Sequence, residues 1–264
     1  MTFSKVRAIE ISEERVGRIR QELLKSMEVY SVIRRVLRPI KLRAHPARAE
    51  MKGEFRKIGV NEITDKIWFV EGSFPEGQYA TAGMGTSYAL EIAKTEAVYL
   101  MGSISRASGK AEHEIRYSDE LTPNVIYDAA NLLTRQGFDP NLVLTNVRDH
   151  VYLWRFHPPY GGFGRDTHLD MPGHKPLIVD FDPEIPQGSS YVLDRTQFGS
   201  LVLKQDLDLT VSEISDEEKP MIIKHLPELK GHDLGEKVRL VIQEILRIDI
   251  DSPKAIIPIR KVNG

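Results

Sequence analysis

The residue types best suited to carry a reaction gather between His150 and His174. This stretch holds His150, His157, Asp166, His168, Asp170 and His174, with Tyr160-Gly161-Gly162-Phe163-Gly164 in its middle. Imidazoles and carboxylates together can bind zinc, iron or manganese. The spacing argues against such a site. The histidines stand seven, eleven and six residues apart, whereas ligands on one helix face follow a short repeat such as His-x-x-x-His. His168 and Asp170 alternate as on a strand and could chelate, but with Asp166 they suit a solvated loop equally well. A long surface loop is the favoured expectation. A metal-dependent enzyme using His150–His174 is a distant alternative, and no catalytic, cofactor-binding or metal residue is assigned.

Other chemistries find less support. There is no cysteine, hence no disulfide and no thiolate nucleophile or ligand. No Gly-x-Ser-x-Gly elbow occurs. Gly83-Met84-Gly85-Thr86 precedes a helical pattern, but no Walker lysine follows and it reads as a plain turn. Asp180, Asp182 and Glu184, flanked by Pro183 and Pro186, read as a turn and not as paired catalytic carboxylates. Trp68 and Trp154 read as core or interface anchors.

The elements that position these residues begin with a basic quarter. Of 264 residues, 41% are hydrophobic and 28% charged, enough for one large domain or two small ones. The net charge is −2, yet residues 1–66 hold sixteen Lys plus Arg against nine Asp plus Glu, a local +7. The N-terminal segment has no apolar run of signal-peptide length, and no stretch approaches the roughly 18 apolar residues of a membrane span. Ser12 is expected to cap one helix running to about Leu37. Val16, Ile19, Leu23, Met27, Tyr30, Ile33 and Leu37 form its apolar stripe, and Pro39 stops it. Arg15, Arg18, Lys25, Arg34, Arg35 and Arg38 dress its other sides.

Ile40 to Gly72 reads as an extended or hairpin segment, with KGEFRKIGV paired to KIWFVEG, and Gly72 to Gly85 as loop. Thr86 to Ala107 is a strong helix with Ala89, Ala93, Ala97, Leu100 and Ile104 as its buried stripe. Thr122-Pro123 opens a helix that Gly137 closes. Asn141–Thr145 is a short strand, and Asn146 caps a helix to about Phe156 with Asp149 in capping-box position. Strands follow at 176–181, 190–194, 201–205 and 207–214; residues 215–235 read as irregular. From Val238 to Ile250 the even positions are apolar except Glu244, and the odd ones mostly polar. That period-two row is a strand of thirteen residues, about 43 Å at roughly 3.3 Å each, far beyond the usual five or six.

Glu236, Lys237, Val238, Arg239, Leu240, Ile242 and Glu244, then Pro253, Ala255 and Ile256, resemble the closing segment of encapsulins and tailed-phage major capsid proteins, the shell proteins of the Hong Kong 97-type fold. Leu201–Leu207 is similar to the strand before it in encapsulins, and Pro176–Asp194 to phage capsid proteins. The likeness spans about Leu121 to Pro258.

The resemblance implies an α+β fold with a spine helix, a long strand, and peripheral and axial domains. It divides the chain into an N-terminal arm at 1–39, an extended loop at 40–85, a peripheral domain at 86–120 and 195–264, and an axial domain at 121–194. It implies a non-enzymatic subunit that assembles with itself into pentamers, with or without hexamers, closing an icosahedral shell. As a viral capsid protein it would package double-stranded DNA, in the virion or in host cytoplasm during assembly. As an encapsulin it would enclose a cargo protein in a cytoplasmic nanocompartment. No cofactor and no membrane are implied. Tyr160, Gly161, Gly162, Phe163 and Gly164 would then sit at a capsomer axis, where glycine lets copies crowd together. Arg15, Arg18, Lys25, Arg34, Arg35 and Arg38 would face the lumen.

Overall fold

A computed structural model describes residues 6–8, 13–44, 53–65, 68–70, 84–154, 167–170 and 175–262. In chain order its strands are β1 (Val6–Ala8), β2 (Arg38–Lys41), β3 (Arg56–Asp65), β4 (Trp68–Val70), β5 (Ile115–Tyr117), β6 (Leu142–Thr145), β7 (Thr167–Leu169), β8 (Leu177–Phe181), β9 (Ser189–Leu193), β10 (Gly199–Glu213), β11 (Lys237–Ile250) and β12 (Ile256–Lys261). Its helices are α1 (Glu13–Tyr30), α2 (Val32–Val36), α3 (Met84–Ser108), α4 (Pro123–Arg135), α5 (Val147–Trp154), α6 (Arg195–Phe198) and α7 (Lys219–His225). The chain divides into two compact units. One gathers Met1–Tyr30, Arg56–Ile92 and Gln205–Ile245; the other gathers Ser31–Phe55, Ala93–Lys204 and Leu246–Gly264.

In the first unit α1 buries Ile19, Leu23 and Met27, the stripe its periodicity predicts. The start of α3 lies on it. A Cβ on Gly85 would stand 2.7 Å from the Ile19 carbonyl oxygen and the Leu23 nitrogen. Gly85 is therefore a helix residue whose missing side chain lets two backbones meet, not part of a plain turn. β3 pairs with β11 and β4 with β1, so the expected hairpin between KGEFRKIGV and KIWFVEG is not formed. Ile58 and Val60 turn inward, and at Gly59 a Cβ would come 1.9 Å from the Ile242 carbonyl oxygen. That close approach, with two apolar residues facing the core, holds β3 on β11.

The expected single helix to Leu37 is two. Ser31 takes an extended backbone, φ −76° and ψ 104°, and its hydroxyl accepts the Arg34 amide to cap α2. Residues 215–235, expected to be irregular, contain α7, with Pro220 in its first turn. The two strands expected at 201–205 and 207–214 are one, β10. Thr122 precedes α4 without a side-chain capping bond.

The second unit is built on a six-stranded sheet of order β5-β12-β9-β6-β8-β7. β6 lies parallel to β8 and antiparallel to β9; β12 lies antiparallel to β9 and parallel to β5. α4 packs on β12 and β9 through Ile126, Ala129, Ala130 and Leu133, which join Val143, Val179, Val192, Ile257 and Ile259 in one core. The four-stranded sheet has order β2-β10-β11-β3, and its two long strands run through both units. Along β11 the buried row is Val238, Leu240, Ile242, Glu244 and Leu246. It then shifts by one residue, to Arg247 and Asp249.

Candidate functional site

Of the residues singled out for chemistry, His150, Asp180 and Asp182 lie around the C-terminal ends of the parallel strands β6 and β8, with the helix-capping candidates Asn146 and Asp149. Asn146 starts α5 by accepting the Arg148 amide at 2.9 Å, and its own side chain donates to the Ile185 carbonyl at 2.6 Å. Asp149, expected in a capping box, instead accepts the Gly188 amide at 2.9 Å. Gly188 holds φ +75° in the turn between β8 and β9, a conformation that favours glycine. Burial pushes the Asp149 carboxyl up, against the Gly188 bond and the cations Lys261 and Arg148. Burial, with the Asp149 charge, pushes the Tyr117 hydroxyl up to about 12.

His150 is 1% exposed, its ring 4.5 Å from that of Phe181. Burial brings its pKa down to about 4, against the opposing pull of Asp180. It is a neutral core imidazole at physiological pH. Asp180, near the end of the strand expected at 176–181, is buried in β8 and takes a bidentate bridge from Arg35, at 2.6 and 3.1 Å. Burial pushes the Asp182 carboxyl up, while its bond from the Glu184 amide works the other way.

His168 is exposed on β7 and Asp170 follows it, exposed. His157, Asp166, His174 and the loop Tyr160-Gly161-Gly162-Phe163-Gly164 lie outside the described residues. Among the described residues no three His, Asp or Glu side chains are placed to hold a metal ion.

The basic candidates divide. The Arg34 guanidinium lies 3.3 Å from Glu96, which is fully buried and also takes the Ser31 hydroxyl. Arg35 is committed to Asp180. Arg18, Lys25 and Arg38 are exposed, and the side chain of Arg15 lies outside the described residues. Sequence reasoning missed Asp194. It accepts amides of Asp139 at 3.1 Å and Thr196 at 3.0 Å, the Asn141 and Gln197 side-chain amides, and the Thr196 hydroxyl. Burial raises its pKa, but these hydrogen bonds outweigh it and the net shift is downward. An Asp one residue before a short helix is the signal that could have found it.

No family model matches the sequence, and no curated protein does. Solved structures do. A structure from Microbacterium phage Oxtober96 is 12% identical over 88% of this chain and 91% of its own, with a TM-score of 0.52. One from Mycobacterium phage Bobi is 11% identical over 80% and 73%, also at 0.52. The chain has the Hong Kong 97 fold. Within that fold α3 is the spine helix and β11 the long strand, as the sequence implied. A crystal structure of a virus-like particle from Pyrococcus furiosus matches 92% of this chain and 98% of its own at 14% identity and a TM-score of 0.47.

Proposed function

We propose that this chain is a structural shell subunit that assembles with itself into a closed icosahedral particle, as a major capsid protein around double-stranded DNA. The observation that carries this is the Hong Kong 97 fold, matched over nearly the whole length of a phage chain. The polar chemistry of the second unit supports a structural role. Asp149, Asp180, Asp182 and Asp194 each hold backbone or an arginine, and His150 is packed as a core residue. Rings of five or six subunits demand heterologous contacts that close. In this assignment residues 121–194 form the axial part, with Tyr160–Gly164 at the ring axis, and the subunit works in the virion or in host cytoplasm during assembly.

Light scattering and negative-stain images of purified protein test the proposal. Megadalton particles are expected, and a stable monomer or dimer at micromolar concentration would refute it. Dialysis against chelator should leave the particles unchanged. An encapsulin around a cargo protein is the second assignment. One observation favours it: Arg34 and Arg35, expected to face DNA, are engaged within the subunit. Particles that contain one specific protein and no nucleic acid would decide for it.

A further inference from the structure

Resting on the shell assignment, the question is which surface would meet packaged nucleic acid. The +7 of residues 1–66 is not carried by α1. That helix sets Arg15, Arg18, Arg20 and Lys25 against Glu13, Glu14, Glu22 and Glu28. Arg20 is bridged to Asp208 at 2.7 Å, and Arg34 and Arg35 are held as described.

A different group of cations stands together on β2 and the turn after it. Residues 38–44 read Arg-Pro-Ile-Lys-Leu-Arg-Ala, three cations and no acid, and Arg38, Lys41 and Arg43 are all exposed. β2 is an edge strand, parallel to β10 with Lys41 opposite Leu203. Lys204, also exposed, therefore adjoins the end of β2. Its ammonium lies 5.8 Å from the ring centroid of Phe55, which the Arg247 guanidinium approaches to 4.6 Å. Glu54 is the exposed acid next to Phe55. Alternation sends Arg38 and Lys41 to opposite sides of β2, so the cations flank an edge and do not converge on a pocket. From Arg38 to Lys41 the strand advances about 10 Å, and a duplex strand presents a phosphate about every 3.4 Å along its axis. Several phosphates fall within reach of such an edge.

We propose that the β2 edge, with Arg38, Lys41, Arg43 and Lys204, is the surface on which this subunit binds the phosphate backbone of duplex DNA without regard to sequence. Charge spread along an extended edge fits backbone contact, which positions a duplex but reads no bases. Each phosphate neutralised releases counterion, giving a log–log salt slope of about −0.9 per contact.

The test measures binding of a labelled duplex to the disassembled subunit by fluorescence anisotropy, at about 50 and 200 mM salt. Wild type is compared with Arg38→Gln/Lys41→Gln/Arg43→Gln and with Arg18→Gln/Lys25→Gln on α1. Circular dichroism checks that each is folded, and electron microscopy asks whether each forms particles. The triple variant is expected to bind at least tenfold more weakly, with a slope shallower by about 2–3, from three lost contacts at about 0.9 each. The α1 variant should bind as wild type. Equal affinity and slope for wild type and the triple variant would overturn the proposal, as would a loss confined to the α1 variant. Wild-type particles whose subunits bind no DNA at low salt would overturn it too, while leaving the shell assignment standing. Salt-dependent binding lost in the triple variant, from a protein that never forms particles, would uphold the surface and refute the shell.

Discussion

Arg239 and Arg247 stand on one strand, β11, and meet opposite fates. The Arg239 side chain is 40% exposed and lies 3.4 Å from Glu218. The Arg247 side chain is 3% exposed and grips Asp249 on the same face of the strand at 2.7 and 3.1 Å. Between them the buried row has shifted by one residue, at the boundary where β11 leaves the first unit for the second. In the first unit β11 turns a mostly apolar face inward, with the carboxylate Glu244 set among Val238, Leu240 and Ile242. In the second it takes a whole ion pair inside, tolerable because the guanidinium arrives with its carboxylate and an aromatic face, Phe55, against it.

Removing one member of that inner pair should produce the largest effect. Arg247→Met takes the guanidinium away from the buried Asp249, at an expected cost of about 3–5 kcal/mol in urea unfolding. Arg247→Met/Asp249→Leu should recover most of it; a double variant as unstable as the single one would show that the pair is not the unit that matters. Next comes Gly59→Ala in the first unit, where the new Cβ meets backbone at 1.9 Å. A loss of about 3 kcal/mol is expected, near the upper end of ordinary overpacking costs, with hydrogen-exchange protection lost first along β3.

A third measurement concerns acid. His150 has its folded pKa lowered to about 4 from 6.5. Between those values the unfolded chain takes up a proton that the folded one refuses, so stability rises with pH and is lost as pH falls from about 6.5 to 4. The loss is on the order of 3 kcal/mol. Asp149 and Asp182, with raised pKa values, work in the opposite sense by binding protons more readily when folded. His150→Phe should therefore flatten the decline in urea midpoint between pH 6.5 and 5, and an unchanged decline would place acid sensitivity elsewhere. Smallest is Arg239→Met, the counterpart of the first variant. An exposed pair of this kind is worth less than about 1 kcal/mol, and a loss matching that of Arg247→Met would erase the contrast.

What could be read in the sequence follows the same division. α3, α4 and the first half of β11 were legible because their signals are local: Ala89, Ala93, Ala97, Leu100 and Ile104 at helical spacing, Thr122-Pro123 before a helix, alternation through Ile242. Those signals, with the segments likened to shell proteins, were enough for the fold. The break between α1 and α2 was not legible. The apolar stripe runs straight across Ser31, and only Glu96, 65 residues away, holds its hydroxyl. That Asp180 is buried and paired was not legible either, because its partner Arg35 lies 145 residues earlier. Arg247 and Asp249 looked solvated for the same reason that most charges are. Of the candidate site, two histidines fall among the described residues, His150 in the core and His168 on an exposed strand.

Each of the two units is put together from three separate stretches of the chain, and α3, β10 and β11 each begin in one unit and end in the other. Neither unit can be excised as a cassette. A genetic crossover at any single point would hand the recipient two incomplete bodies, and grafting either half onto a relative would require several matched junctions at once.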